Sequence, residues 1–248
     1  MDHSPYYRPR PEADTAILLI HGIVSTPRHF DWLIPHIPDA YEVLSVLLPG
    51  HGGSVADFAK AKMSQWHQHV DDCLKKLEKD GRKIIIVGHS LGTLLAMSSV
   101  QNHPSIAGLV LLNSPLKARA PLSMFRDKWK LVRGTAPEND PAFEMQRACI
   151  SPALESNPFK YLTWIPNFWS LLRLCKKCRK IPAQLTIPCW AVLGAKDDLV
   201  NMRTQKWFRQ NPDIALEILP DGVHYGYTAE EQSCILTGFR LIDGCVHK

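Results

Sequence analysis

The sequence predicts an α/β protein, with a mainly parallel central sheet flanked by helices, and three observations carry that reading. Short apolar runs alternate with longer amphipathic segments along most of the chain, as they do when parallel strands are joined by helical crossovers. Several runs, 16–20 and 83–87 among them, are nearly continuous in Ile, Leu and Val, the composition of strands covered on both faces. The segment 116–183 alone breaks the alternation, with prolines at 121, 137, 141, 152, 158, 166 and 182.

In chain order, strands are predicted at 16–20, 43–47, 83–87, 109–112, 190–193 and 215–219. A helix is expected over 64–79, because Trp66, Val70, Cys73, Leu74 and Leu77 fall on one stripe while Asp71, Asp72, Lys75, Lys76 and Lys79 face away; Gly81 is read as closing it. The run 91–100 is apolar almost all round, which places that helix in the interior. A last helix over 228–242 aligns Ile235, Phe239 and Ile242 toward the sheet. It carries Glu230 and Glu231 in its first turn, where acidic groups suit the positive end of the helix dipole. A structureless loop as long as 116–183 is improbable in a compact domain. The expectation is therefore one core, 1–115 with 184–248, bearing an inserted helical cap over 116–183.

Composition narrows the function classes. At 248 residues, with 45% apolar and 21% charged residues, the chain has enough apolar material for a sizeable core. The net charge of +5 is too small to point to nucleic acid, and it is unevenly held: 116–183 contains thirteen Lys/Arg against five Asp/Glu, the remainder sixteen against nineteen. The first fifteen residues offer no secretory apolar stretch, and no run is long enough to cross a membrane, so a cytoplasmic location is expected. Seven scattered cysteines fit reduced thiols better than a disulfide framework.

The chemistry is carried by Gly88-His89-Ser90-Leu91-Gly92, a G-x-S-x-G sequence between a strand and an apolar helix. A sharp strand-to-helix reversal projects Ser90 into a cleft and leaves the N–H of Leu91 free to donate to an oxyanion. A second donor is expected from the loop after the first predicted strand, the N–H of Ile23 in His21-Gly22-Ile23. A serine hydroxyl needs a base, and the base needs a carboxylate to hold its tautomer. His224, on the loop after the last strand, fits the base by its late position. The acid comes from Asp197 or Asp198 after the strand 190–193, and spacing does not choose between them.

Together these motifs resemble the α/β-hydrolase superfamily, and within it the monoacylglycerol-lipase-like and carboxylesterase-like serine hydrolases, over all of the chain except the expected cap. The resemblance rests on His21-Gly22-Ile23, on Gly50-His51-Gly52-Gly53-Ser54, and on Gly194-Ala195-Lys196-Asp197-Asp198-Leu199-Val200, whose G-x-x-D-x-x-V pattern selects Asp197 as the acid. Leucine and proline precede Gly50-His51-Gly52 where many members carry an arginine. The resemblance implies an α/β-hydrolase fold and hydrolysis of a carboxylic ester through an acyl-enzyme on Ser90. Thioesters, small peptides or acyl transfer are the alternatives on the same triad, and a ligand-binding protein without catalysis is the rival outside enzymes. Neither metal nor organic cofactor is required by this chemistry.

In the expected cap, Trp164, Phe168 and Trp169 are candidates to receive an apolar acyl group, the plainer reading being that they form the cap's own packing. Cys175-Lys176-Lys177-Cys178 has the spacing of half a zinc site, but no second half follows, so two thiols on a basic helix is the preferred reading. The neighbouring Arg179 and Lys180 extend a basic run that suits weak contact with a membrane surface or a solvated face. The predicted partner is a small ester; oligomeric state is left open.

Overall fold

The computed structural model describes residues 3–79, 81–119, 130–131, 133–135, 137, 141–151 and 155–247. Seven strands form one sheet among the described residues: β1 (Tyr6–Arg8), β2 (Thr15–Ile20), β3 (Glu42–Val46), β4 (Lys83–His89), β5 (Ile106–Leu112), β6 (Cys189–Gly194) and β7 (Ile214–Leu219). Their order is β1-β3-β2-β4-β5-β6-β7; β1 runs antiparallel to β3 and every other pairing is parallel. The helices are α1 (Val55–Lys60), α2 (Met63–Leu77), α3 (Leu91–Ser99), α4 (Pro141–Cys149), α5 (Ile165–Cys178), α6 (Gln205–Phe208) and α7 (Ala229–Val246).

Strand side chains alternate between two apolar layers, which is why the central runs read as continuously hydrophobic. Leu18, Ile20, Ile84, Ile86, Leu109 and Leu111 pack with Trp66 and Val70 of α2, Leu94 of α3 and Leu171 and Leu174 of α5. Ile17, Leu19, Ile85, Val87, Val110 and Val192 pack on the other side with Phe30, Leu33 and the Ile235, Phe239 and Ile242 stripe of α7. Each such buried side chain stabilises the fold by about 1.5–3 kcal/mol.

Two local features depart from the sequence reading. β1 has no apolar run and lies between prolines; distant partners hold it, since the Arg8 guanidinium donates to the carbonyls of Ile37, Pro38 and Tyr41 and the Tyr7 hydroxyl donates to Glu42 at 2.6 Å. The second helix stops at Leu77, short of Gly81: Glu78 turns extended, and its carboxylate lies 2.9 Å from Nδ1 of His103. In the segment expected as a cap, α4, a 3-10 turn over Pro158–Trp164 and α5 are helical; 120–129 and 152–154 lie outside the described residues. No helix of the described residues is long and apolar enough to cross a membrane, and all seven cysteines are unpaired thiols.

Candidate active site

The carboxyl ends of β2, β4, β6 and β7 present their loops at one edge of the sheet, where ligands meet open parallel sheets. Ser90 lies between β4 and α3 with φ 51° and ψ −115°, a conformation costing about 1–3 kcal/mol for a residue with a side chain. The surroundings over-determine it: its N–H donates to Leu112 O at 2.9 Å, and the Thr93 hydroxyl donates to its carbonyl at 2.7 Å. The motif's last glycine is a steric necessity, because a Cβ on Gly92 would stand 1.9 Å from the backbone oxygen of Ile20. Ser90 thus sits at the N-terminus of α3, where the first N–H groups have no intrahelical partner.

The loop after β2 abuts this turn, since a Cβ on Gly22 would meet Ser90 Cβ at 3.1 Å. Two buried imidazoles clasp it to the loop after β3. His21 Nε2 accepts from Leu48 N at 3.0 Å while its Nδ1–H donates to Gly22 O at 2.7 Å, and His51 Nε2 accepts from Val24 N at 3.1 Å. These bonds tie the two loops together. Burial, reinforced by the neighbouring His51, holds the His21 pKa well below the ordinary histidine value.

Asp197 and His224 meet directly. Nδ1–H of His224 donates to Oδ2 of Asp197 at 2.7 Å, and Oδ1 of Asp197 accepts from the N–H groups of Leu199 and Val200, each at 2.8 Å. The aspartate is 2% exposed and the histidine 4%, so the pair is shielded from solvent, and Nε2 is left as the ring's acceptor. Asp198 is half-buried and does not bond His224. Among the described residues no hydrogen bond joins Ser90 Oγ to the His224 ring, a contact that hydrolases often complete only in the substrate complex.

Residues to which the sequence reading gave no such role hold the loops together. Asn113, directly after β5 with φ 51°, donates from its amide to Val223 O at 3.1 Å and accepts from Gly194 N at 2.9 Å, joining the Asp197 loop to the His224 loop. Lys196 N donates to Gly222 O at 3.0 Å across the same pair of loops. Nε2–H of His89 donates to the backbone carbonyl of His224 at 3.0 Å, and its ring stacks on His29 at 3.9 Å. Among the described residues neither ring nitrogen of His29 has a hydrogen-bond partner, and burial, with His224 as a lesser cause, lowers its pKa to about 3. The tolerance of asparagine for positive φ was the only local signal for Asn113.

A small hollow of about 10 Å³, room for about one water, lies beside these loops, lined by Val24, Gln146, Cys149, Ile150 and Tyr225. Val24 follows Ile23, and Tyr225 follows His224; the other three belong to α4 and the residue after it. The aromatic candidates lie elsewhere. Trp164 is 3% exposed, donates from its indole to Val55 O at 2.9 Å and packs on Phe58; Phe168 is half-buried against the same layer; Trp169 is 57% exposed. Cys175 and Cys178 are buried, Cys178 Sγ lying 3.4 Å from the Ser98 hydroxyl, and burial pushes both thiols up. Among the described residues no cluster of His, Cys, Asp and Glu could hold a metal ion.

The comparisons with known proteins agree with this architecture. A thermostable monoacylglycerol lipase of Bacillus sp. (strain H-257) is 29% identical over 99 residues, a match that spans 40% of each chain. A pimeloyl-[acyl-carrier protein] methyl ester esterase of Aromatoleum aromaticum is 32% identical, covering 88% of this chain and 94% of that protein. Among solved structures, one from the metagenome-derived lipolytic enzymes LipS and LipT superposes with a TM-score of 0.74 at 17% identity, over 98% of both chains. The sequence pattern of the alpha/beta hydrolase family matches residues 17–232, and with the sheet order and the serine turn described above it follows that this chain belongs to the α/β hydrolase family.

Proposed function

We propose that the protein is a serine hydrolase of carboxylic esters, with Ser90 as nucleophile, His224 as general base and Asp197 as the carboxylate that orients it. The observation that carries this reading is the buried 2.7 Å bond from His224 Nδ1 to Asp197 at the same sheet edge as a serine held in a strained strand-to-helix turn. The names of the relatives, a lipase and a methyl ester esterase, support an ester as the substrate class.

In the proposed reaction Nε2 of His224 takes the Ser90 proton as Oγ attacks the ester carbonyl. The N–H groups of Leu91 and Ile23 receive the oxyanion, and His224 then returns the proton to the departing alcohol. Water cleaves the acyl-enzyme by the same route. The described part of 116–183 serves as a cap, with Gln146, Cys149 and Ile150 standing against Val24 and Tyr225 beside the loops of the triad.

Initial rates across p-nitrophenyl esters from acetate to palmitate, with Ser90→Ala as control, test the reading. A Ser90-dependent optimum is expected, with Ser90→Ala reducing turnover by at least about 10⁴-fold at an unchanged melting temperature. Full residual activity in Ser90→Ala overturns it. Fluorophosphonate labelling of Ser90 without hydrolysis of any ester retains the nucleophile and moves the substrate to a thioester or peptide.

A further inference from the structure

A surface helix normally turns its polar face to water, yet the first half of α5 also exposes large apolar side chains. Leu171, Leu174, Cys175 and Cys178 face the protein, while Ile165, Trp169 and Leu172 face outward at i, i+4 and i+7, exposed by 59%, 57% and 44%. Phe159 and Leu162, in the 3-10 turn that leads into α5, are 75% and 59% exposed. Five of the eight large exposed apolar side chains of the described residues thus fall within fourteen consecutive positions. Exposed apolar side chains scattered singly need no explanation, but a contiguous group marks a binding face.

The same face continues into cations. Arg173, Lys176, Lys177 and Lys180 are exposed on the next turns, and among the described residues none of them pairs with a carboxylate. The Arg173 guanidinium stands 5.7 Å from the Trp169 ring, where the apolar and cationic halves meet. An indole at the junction of an aliphatic patch and a row of lysines is the arrangement of an interfacial helix, with the aliphatic groups in the acyl region and the cations at the headgroups. The face is the convex outside of a helix. Its exposed cations call for an anionic counterpart.

We propose that the outward face of α5, with the Pro158–Trp164 turn, docks on an anionic lipid surface. The contact inserts Phe159, Leu162, Ile165, Trp169 and Leu172 and sets Arg173, Lys176, Lys177 and Lys180 against acidic headgroups. This reading is independent of the reaction assigned to Ser90.

Co-sedimentation of the full chain with sucrose-loaded vesicles tests it, using POPC alone and POPC with about 30% POPG. The protein is expected to partition onto the POPG vesicles, weakly onto POPC, and to be released by about 0.5 M NaCl. Ile165→Ser/Leu172→Ser should lower partition by about tenfold or more, and Lys176→Glu/Lys177→Glu should remove the preference for POPG, circular dichroism showing both variants folded. No partition onto POPG vesicles, or equal partition of wild type and both folded variants, overturns the proposal. So does a concentration-dependent dimer in light scattering that Ile165→Ser/Leu172→Ser abolishes without changing vesicle binding, which assigns the face to a second copy of the chain.

Discussion

Two neighbouring aspartates, identical in chemistry, are separated by what each touches. Oδ2 of Asp197 accepts from Nδ1 of His224 while its Oδ1 takes two backbone N–H groups, so its position is fixed by three hydrogen bonds. Asp198 does not bond the imidazole. Replacing Asp197 by Asn removes the charge that stabilises an imidazolium and lets the ring adopt the wrong tautomer, a change worth about 10⁴ in kcat in serine triads generally. Asp197→Asn should therefore lower kcat for a short p-nitrophenyl ester by about that factor, and Asp198→Asn by about threefold at most. Equal losses in the two variants would remove Asp197 from its assigned role. Sequence spacing alone left the pair unresolved, because the choice is made by which carboxylate faces a loop more than twenty residues further on.

At the scale of elements, the strand-to-helix turn depends on how closely α3 approaches β2. A Cβ on Gly92 would lie 1.9 Å from Ile20 O, a backbone atom at the carboxyl end of β2 that no rotamer change can move. Gly92→Ala should cost more than about 3 kcal/mol, beyond ordinary overpacking, and yield little folded protein. Gly244, exposed near the end of α7, has nothing within 4 Å of its would-be Cβ. Gly244→Ala should stabilise by about 0.5–1 kcal/mol, through helix propensity alone. Urea unfolding of the two variants reads the contrast, and a mild effect at Gly92 would mean that α3 can withdraw from the sheet. The six parallel strands were legible for the same reason that this approach is tight: two-sided burial writes continuous Ile, Leu and Val into the sequence. β1 was not, because what holds Tyr7 and Arg8 lies thirty residues away at Ile37, Pro38 and Glu42. Gln146 and Cys149 were equally silent, since nothing in α4's own pattern says which loops it covers.

Across the whole molecule, the serine turn was announced by its own neighbours and His224 was picked out by its late position in the chain, whereas the histidines around them acquire meaning only when the loops converge. Of eleven histidines, His21, His29 and His89 are fully buried, and burial depresses the pKa of each, that of His29 to about 3. In the unfolded chain a histidine titrates near about pH 6.5. Below that value the unfolded state binds protons that the folded state refuses, so stability falls with acidification; above it the three contribute no pH dependence. Each adds a slope of about 1.4 kcal/mol per pH unit, and three together about 4, while the acidic side chains are still ionised. Urea midpoints measured from about pH 8 to pH 5 should be level at first and fall steeply below about pH 6.5. His29→Leu should reduce the slope by about a third, because among the described residues neither nitrogen of His29 has a hydrogen-bond partner to strand. A flat profile down to about pH 5 would show that water or a proton reaches these rings in the folded protein, and that the layer behind His224 is open.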